Sequence, residues 1–426
     1  MSRPTTLEGW LAFLATLHPN TIALGLDRVR SVYDRLDVTF ACPVITVAGT
    51  NGKGSTCALL ERMLVAGGYR VGLYTSPHLL RYNERVRIAG AEVTDAALCA
   101  AFDAVEDARN DTALTFFEFG TLAALWQFAR SGLDALVLEV GLGGRLDAVN
   151  VIDADVAIVT SIAIDHVAYL GDTREAIGFE KAGIFRAGRV AICAERNPPA
   201  SLLEHARAVG AKLLRIGSDY DFTAQAGQWS YRGPGGARHG LPHPALRGAM
   251  QLGNAATALT ALDALRDRLP LSMGAVREAL VDIALPGRFQ VLPGRPVQVF
   301  DVAHNPQAAK VLADNLGAMG FHPETWAVFG IMADKDIDGV IAPLKARVER
   351  WLVATLPPPR GASAATLRER LESAGVASTA IREFDDPMTA YGAARSGVTE
   401  ADRIVVLGSF LTVAAALSVL SSARPA

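Results

Sequence analysis

The sequence predicts an α/β protein with a larger N-terminal domain on a parallel sheet and a smaller C-terminal α/β domain. Short runs rich in β-branched residues alternate with longer helical stretches, the signature of parallel β/α units. The runs are almost wholly apolar, as strands covered by helices on both faces must be. The alternation restarts after a stretch dense in Pro and Gly, from Leu285-Pro286-Gly287-Arg288 to Pro293-Gly294-Arg295-Pro296. That linker, residues 285–297, separates expected domains at 1–287 and 288–426, and 426 residues are enough for two substantial cores.

Val44–Ala48, Val71–Thr75, Ala135–Val140, Val156–Thr160 and Val190–Cys193 are each short, apolar and β-branched enough to be buried strands. Between them, Ser55–Ala66, Thr94–Asn110 and Thr121–Ser131 have helical composition. Asp219–Pro244 differs: its Gly, Pro and alternating Phe222, Ala224, Trp229 and Tyr231 predict antiparallel hairpins, after which Asn254–Arg268 returns to helix. Beyond the linker, Val297–Phe300, Trp326–Phe329, Arg350–Thr355 and Arg403–Leu407 are the expected strands. No period of 20–50 residues repeats, which excludes a solenoid.

Lys and Arg total 41 against 44 Asp and Glu, a net charge of -3, so no global basic field exists to draw nucleic acid or an anionic membrane. An apolar content of 50% with so small a net charge excludes long-range disorder. Cys42, Cys57, Cys99 and Cys193 are far apart without metal-ligand spacing and are expected to be buried, reduced thiols. The N-terminal residues lack a signal-peptide pattern, and Leu411 to Leu420 is too short to span a bilayer. A soluble, cytoplasmic monomer is the expectation.

Val44–Ala48 runs directly into Gly49-Thr50-Asn51-Gly52-Lys53-Gly54-Ser55-Thr56 and then a helix. Strand, glycine-rich turn and helix N-terminus form a phosphate cradle: the glycines let N–H groups face an anion, and the helix dipole favours negative charge. Lys53 would bridge the terminal phosphates, with Ser55 or Thr56 near a metal. The strict Walker pattern fails, because Val47 stands where it sets Gly and Gly54 where it sets Ser or Thr. Glu139 ends an apolar strand ahead of Gly141-Leu142-Gly143-Gly144, where parallel sheets bind ligands; a cation would offset its burial, although a salt bridge or helix cap would also accommodate it. Asp301, with His304-Asn305-Pro306 opening a helix, repeats this strand-end placement, or serves as a helix cap.

The loop GTNGKGST resembles the ATP loop of the Mur ligase superfamily, and specifically of its dihydrofolate synthase/folylpolyglutamate synthase family. Further segments match in order: Ser76-Pro77-His78-Leu79 with Tyr82-Asn83-Glu84-Arg85-Val86, Thr115-Phe116-Phe117-Glu118, Leu138 to Ala148, Asp165-His166, Glu180 to Ile184, Gly287-Arg288-Phe289, and Asp301 to Pro306. The resemblance thus covers nearly the whole chain. It implies a P-loop, ATPase-like N-terminal domain, a Rossmann-like C-terminal ligase domain, and ATP and Mg²⁺ as cofactors. By the same resemblance Ser76, Glu139 and His166 hold the metal, and Gly52, Lys53, Gly54, Ser55, Asn254, Arg288 and Asp301 meet ATP across an interdomain cleft. Lys181 matches a carbamylated lysine that supports a second metal, so Lys53, Lys181 and His166 are the implied catalytic residues.

Gly25-Leu26-Asp27-Arg28, Thr115-Phe116-Phe117-Glu118 and Leu146-Asp147-Ala148 match segments that hold a pterin. A flat heteroaromatic ring suits Phe116 or Phe117 for stacking, though either ring could equally join the core. Arg81 and Arg85 could receive substrate carboxylates or be solvated loop charges. The implied reaction is ATP-dependent amide formation between a pteroate or folate carboxylate and L-glutamate through an acyl phosphate, with dihydropteroate and tetrahydrofolate polyglutamates as substrates. Two alternatives remain: a P-loop switch or transport ATPase without ligase activity, and a cell-wall Mur ligase. The latter is disfavoured because a UDP-binding domain would have to fit in the 48 residues before Gly49.

Overall fold

A computed structural model describes residues 3–20 and 22–422. The chain divides into two compact units, one of residues 1–245 and 252–283, the other of residues 246–251 and 284–426.

The first unit contains strands β1 (Val44–Ala48), β2 (Val71–Tyr74), β3 (Val86–Ile88), β4 (Ala91–Glu92), β5 (Ala135–Glu139), β6 (Val156–Val159), β7 (Val190–Cys193) and β8 (Lys212–Arg215). They form one eight-stranded sheet in the order β4-β3-β2-β5-β1-β6-β7-β8. The six strands from β2 to β8 in this order are parallel, while β3 and β4 add as an antiparallel edge. Every residue of β1, β2, β5 and β6 is buried, so the apolar runs seen in the sequence are the sheet centre. The core continues through Trp10, Phe102, Phe119 and Phe128 from the helices on the sheet.

The expected hairpins are a second, three-stranded antiparallel sheet of β9 (Asp221–Gln225), β10 (Gln228–Gly233) and β11 (Gly236–Pro242), in the order β11-β10-β9. Three of the helices begin earlier than composition suggested. Lys53–Ala66 starts inside the glycine loop, Phe116–Ala129 starts beside its Thr115 cap, and Gln251–Ala264 both starts and stops before the expected 254–268.

The second unit holds β12 (Gln290–Leu292), β13 (Val297–Asp301), β14 (Thr325–Phe329), β15 (Arg350–Ala354), β16 (Ile381–Phe384) and β17 (Arg403–Leu407), ordered β12-β13-β17-β14-β15-β16. All pairs are parallel except β12–β13, and Phe329, Trp351 and Leu407 lie in its separate core. Among the described residues no helix is long and apolar enough to cross a membrane.

Candidate active site

Four adjacent strands, β2, β5, β1 and β6, end in nearly the same register: Tyr74 pairs with Leu138, Val47 with Glu139, and Ala48 with Val159. Their carboxyl ends therefore bring the loop after β2, Glu139, the glycine loop and the segment after β6 to one edge of the sheet, the usual ligand position in parallel α/β sheets.

The glycine loop turns at Gly49 (φ 146°) and Gly52 (φ 91°), a backbone region that side chains disfavour. A Cβ on Gly49 would lie 1.8 Å from Thr160 Oγ1, and one on Gly52 would lie 2.9 Å from Asn254 Oδ1. The segment after β6 braces the loop: Thr160 Oγ1 donates to the Asn51 carbonyl at 2.7 Å, Thr50 N to the Ser161 carbonyl at 2.7 Å, and Asn51 N to Ser161 Oγ at 2.9 Å. Lys53 opens the Lys53–Ala66 helix and its ammonium donates to the carbonyls of Gly49 at 3.0 Å and Thr50 at 3.3 Å, which keeps the charge over the loop. Ser55 and Thr56 are buried behind it. Sequence reasoning missed Thr160 and Ser161; two hydroxyls directly after a buried strand were the available signal.

Glu139 is 4% exposed, and its Oε2 accepts the Ser76 N–H at 3.2 Å, which unites the first two expected metal residues. His166 lies at the end of the segment that braces the loop, in a left-handed conformation (φ 52°), with its N–H on Asp165 Oδ1 at 2.8 Å. The contact from Ser76 is its backbone N–H, and the carboxylate, hydroxyl and imidazole of these three residues are donor types that Mg²⁺ accepts alongside water and phosphate oxygens. Among the described residues no group of three or more His, Cys, Asp or Glu side chains is placed to hold a metal ion.

Lys181, near the end of the Arg174–Ala182 helix, is 3% exposed. Burial, assisted by the positive charge of Lys53, lowers its ammonium to about 7, against a smaller pull from Asp165 and Asp147. The loop after β5 grips this turn: Arg145 N donates to the Glu180 carbonyl at 2.8 Å, and a Cβ on Gly144 would meet that carbonyl at 2.8 Å.

The three segments expected to hold a pterin also come together. Arg28 donates to Glu118 Oε1 at 2.8 Å and to the Ala23 carbonyl at 2.8 Å, and Gly25 N reaches the Leu146 carbonyl at 3.3 Å. Thr115 and Glu118 form a reciprocal capping box on the Phe116–Ala129 helix, so Glu118 is committed to the Thr115 N–H and to Arg28. Asp147 accepts from Leu142 N and Val149 N; burial nevertheless raises its carboxyl to about 6. Phe116 and Phe117 are half-buried, with the Phe117 ring against Gly141, where a Cβ would be 2.5 Å away. Leu26 and Ala148 flank these contacts and Asp27 is exposed. The two loop arginines part company: Arg81 is exposed and paired with Asp95 at 3.3 Å, whereas Arg85 is buried.

In the second unit Asp301, at the end of β13, pairs in register with Leu407, and its oxygens accept from Phe289 N at 2.9 Å and Ala303 N at 2.8 Å. Burial raises it to about 6 against the pull of Arg288. The Arg288 guanidinium lies 4.9 Å from the Phe410 ring centre, a contact the sequence did not reveal.

Residues 47–235 match the family model of the Mur ligase middle domain, and residues 287–410 that of the Mur ligase glutamate ligase domain. The chain is 46% identical to the dihydrofolate synthase/folylpolyglutamate synthase of Escherichia coli, over 98% of this chain and 96% of that one. It is 41% identical to the Haemophilus influenzae protein of the same name, over 96% of each. Among solved structures, Escherichia coli FolC in complex with DHPP and ADP superposes with a TM-score of 0.93 at 45% identity, covering 99% of each chain. The folylpolyglutamate synthase/dihydrofolate synthase of Yersinia pestis complexed with AMPPNP and Mn gives 0.90 at 46% identity, covering 99% of this chain and 100% of that one.

Proposed function

The chain belongs to the dihydrofolate synthase/folylpolyglutamate synthase family of Mur ligases, and from that premise we propose that the clustered strand ends of its first unit couple L-glutamate to a pteroate or folate carboxylate. It is an ATP-dependent ligase that uses a divalent metal. A carboxylate is a poor electrophile, so the substrate acid attacks the γ-phosphorus of ATP, ADP leaves, and an acyl phosphate results. The glutamate amine then attacks the acyl carbon, phosphate departs with the C–O electron pair, and the nitrogen loses a proton to complete the amide. A divalent metal, when bound, neutralises phosphate charge.

The protein's own part is positioning and charge. Gly52, Lys53, Gly54 and Ser55 cradle the phosphates, and Lys53 offsets the charge that develops on the departing ADP. Asn254, over Gly52, supplies an amide beside that cradle, and we assign Arg288 and Asp301 to nucleotide from the second unit. Ser76, Glu139 and His166 are the proposed metal residues. Lys181, buried and lowered to about 7, has the neutral amine that carbamylation by CO₂ requires. The linked segments at residues 25–28, 115–118 and 146–148 take the pterin, and Arg85 a substrate carboxylate. Four free thiols support a reducing, cytoplasmic location, and a monomer is the proposed working form.

The observation that carries this reading is the common edge formed by the phosphate loop and the Ser76–Glu139 pair. Lys53→Ala should abolish ADP release that depends on both dihydropteroate and L-glutamate. Wild-type turnover in that variant, or ADP release indifferent to both acids in the unaltered protein, would refute it.

A further inference from the structure

Arg85 is 9% exposed, yet among the described residues no carboxylate pairs with it and its terminal nitrogens have no protein acceptor. Neither terminal nitrogen is among the buried polar atoms left without a partner, so both face solvent, and a guanidinium held in this way without a counter-charge is open to an anion that arrives from outside. Those surroundings are specific. The guanidinium carbon lies 5.2 Å from the Tyr82 ring centre and 5.7 Å from that of Phe116, two rings that meet edge-on at 5.8 Å. The remaining donor, Nε–H, goes to His78 Nδ1 at 2.8 Å, and the imidazole itself packs 5.7 Å from the Tyr82 ring. Arginine can only donate, so Nδ1 offers its lone pair and the imidazole proton sits on Nε2. His78 follows Ser76 by two residues, and the Arg85 carbonyl accepts the Thr75 N–H at 3.0 Å, so the pair stands between Ser76 and the first turn of the Phe116–Ala129 helix.

We propose that His78 is a positioning residue, whose imidazole takes the Nε–H of Arg85 so that the two terminal nitrogens present a fork to a substrate carboxylate. The aromatic pair fixes the plane of the guanidinium; the imidazole fixes its rotation about the last side-chain bonds. A bidentate arginine–carboxylate contact depends on that orientation more than on charge alone. This inference rests on the reading that Arg85 receives a substrate acid.

The test compares His78→Leu, His78→Gln, Arg85→Lys and the double variant His78→Leu/Arg85→Lys, with KM measured separately for dihydropteroate, L-glutamate and ATP. His78→Leu should raise KM for one of the two acids about ten- to a hundredfold while KM for ATP stays put. Which acid responds identifies the carboxylate. His78→Gln, which restores an acceptor, should recover most of the loss. Lysine has no Nε–H fork, so His78→Leu should add nothing in the Arg85→Lys background. If His78→Leu is too unstable to assay, the Gln variant and this background carry the comparison. Unchanged acid KM values in Arg85→Lys would remove the Arg85 reading itself. A raised KM in Arg85→Lys with no change in His78→Leu, or equal effects of His78→Leu in both backgrounds, would overturn the role of His78 alone.

Discussion

Gly49 shows how little freedom single positions of this site have. A methyl group there would strike Thr160 Oγ1, and the backbone angle is already one that L-residues avoid. Gly49→Ala should cost about 1–3 kcal/mol in strain and weaken ATP binding at least tenfold in a nucleotide titration; retained affinity would mean the loop does not cradle phosphate. Lys181 gives the proposed carbamylation a pH dependence. Burial lowers it to about 7, so the amine is largely neutral above that value and protonated below. Labelled bicarbonate should give a carbamate resonance at about pH 8 that fades as the solution is acidified through about 7 and vanishes in Lys181→Met. Asp147 and Asp301 act on stability in the opposite sense to a salt-bridged carboxylate. Burial raises both to about 6, so the native chain holds protons that the unfolded chain has released. Their favourable contribution is complete below the ordinary aspartate range and is lost as pH climbs through about 6. Changing both to Asn should flatten the stability curve between about pH 4 and 6 in denaturant titrations.

Among the elements, the Gln251–Ala264 helix links the small antiparallel sheet to the phosphate loop. Along its length, Asn254 lies over Gly52, Thr257 is bonded to Tyr220 at 3.1 Å, Thr260 to Tyr231 at 3.0 Å, and Asp263 to Tyr231 at 2.9 Å and to Arg238 at 3.2 Å. Tyr231→Phe should cost about 1 kcal/mol. Asp263→Ala, which strands Arg238, should cost on the order of 3 kcal/mol. Both should raise KM for ATP through the displaced Asn254, and calorimetry with steady-state kinetics would detect the pairing of these effects. The same comparison explains what is legible in the sequence. β1, β2, β5, β6 and β7 announce themselves because burial on both faces requires unbroken apolar runs. β8, with Lys212 and Arg215, and β16, with exposed Arg382 and Glu383, lie at sheet edges and carry no such run. Lys53 and Glu139 stand out in the sequence because strand ends concentrate chemistry, whereas Ser76 is singled out only by the resemblance of its segment to the family. The bracing of the loop by Thr160 and Ser161, the Arg28–Glu118 pair and the Arg288–Phe410 contact are not legible, since each joins segments that only the fold brings together.

For the molecule as a whole, ligation predicts stoichiometry: ADP, phosphate and amide should appear in equal amounts, and omission of either acid should stop all three. A leak of ADP without glutamate would mean the acyl phosphate is being lost to water. The connectivity of the two units carries a practical lesson. The polypeptide leaves the first unit at residue 245, spends residues 246–251 in the second, returns through residue 283, and departs again. A gene split at residue 284 would therefore encode a first fragment bearing a six-residue piece of the other unit, and a second fragment lacking it. Neither half is a self-contained module, so complementation from two plasmids should work poorly at that cut, and shuffling between homologues has to carry the excursion along with the C-terminal half.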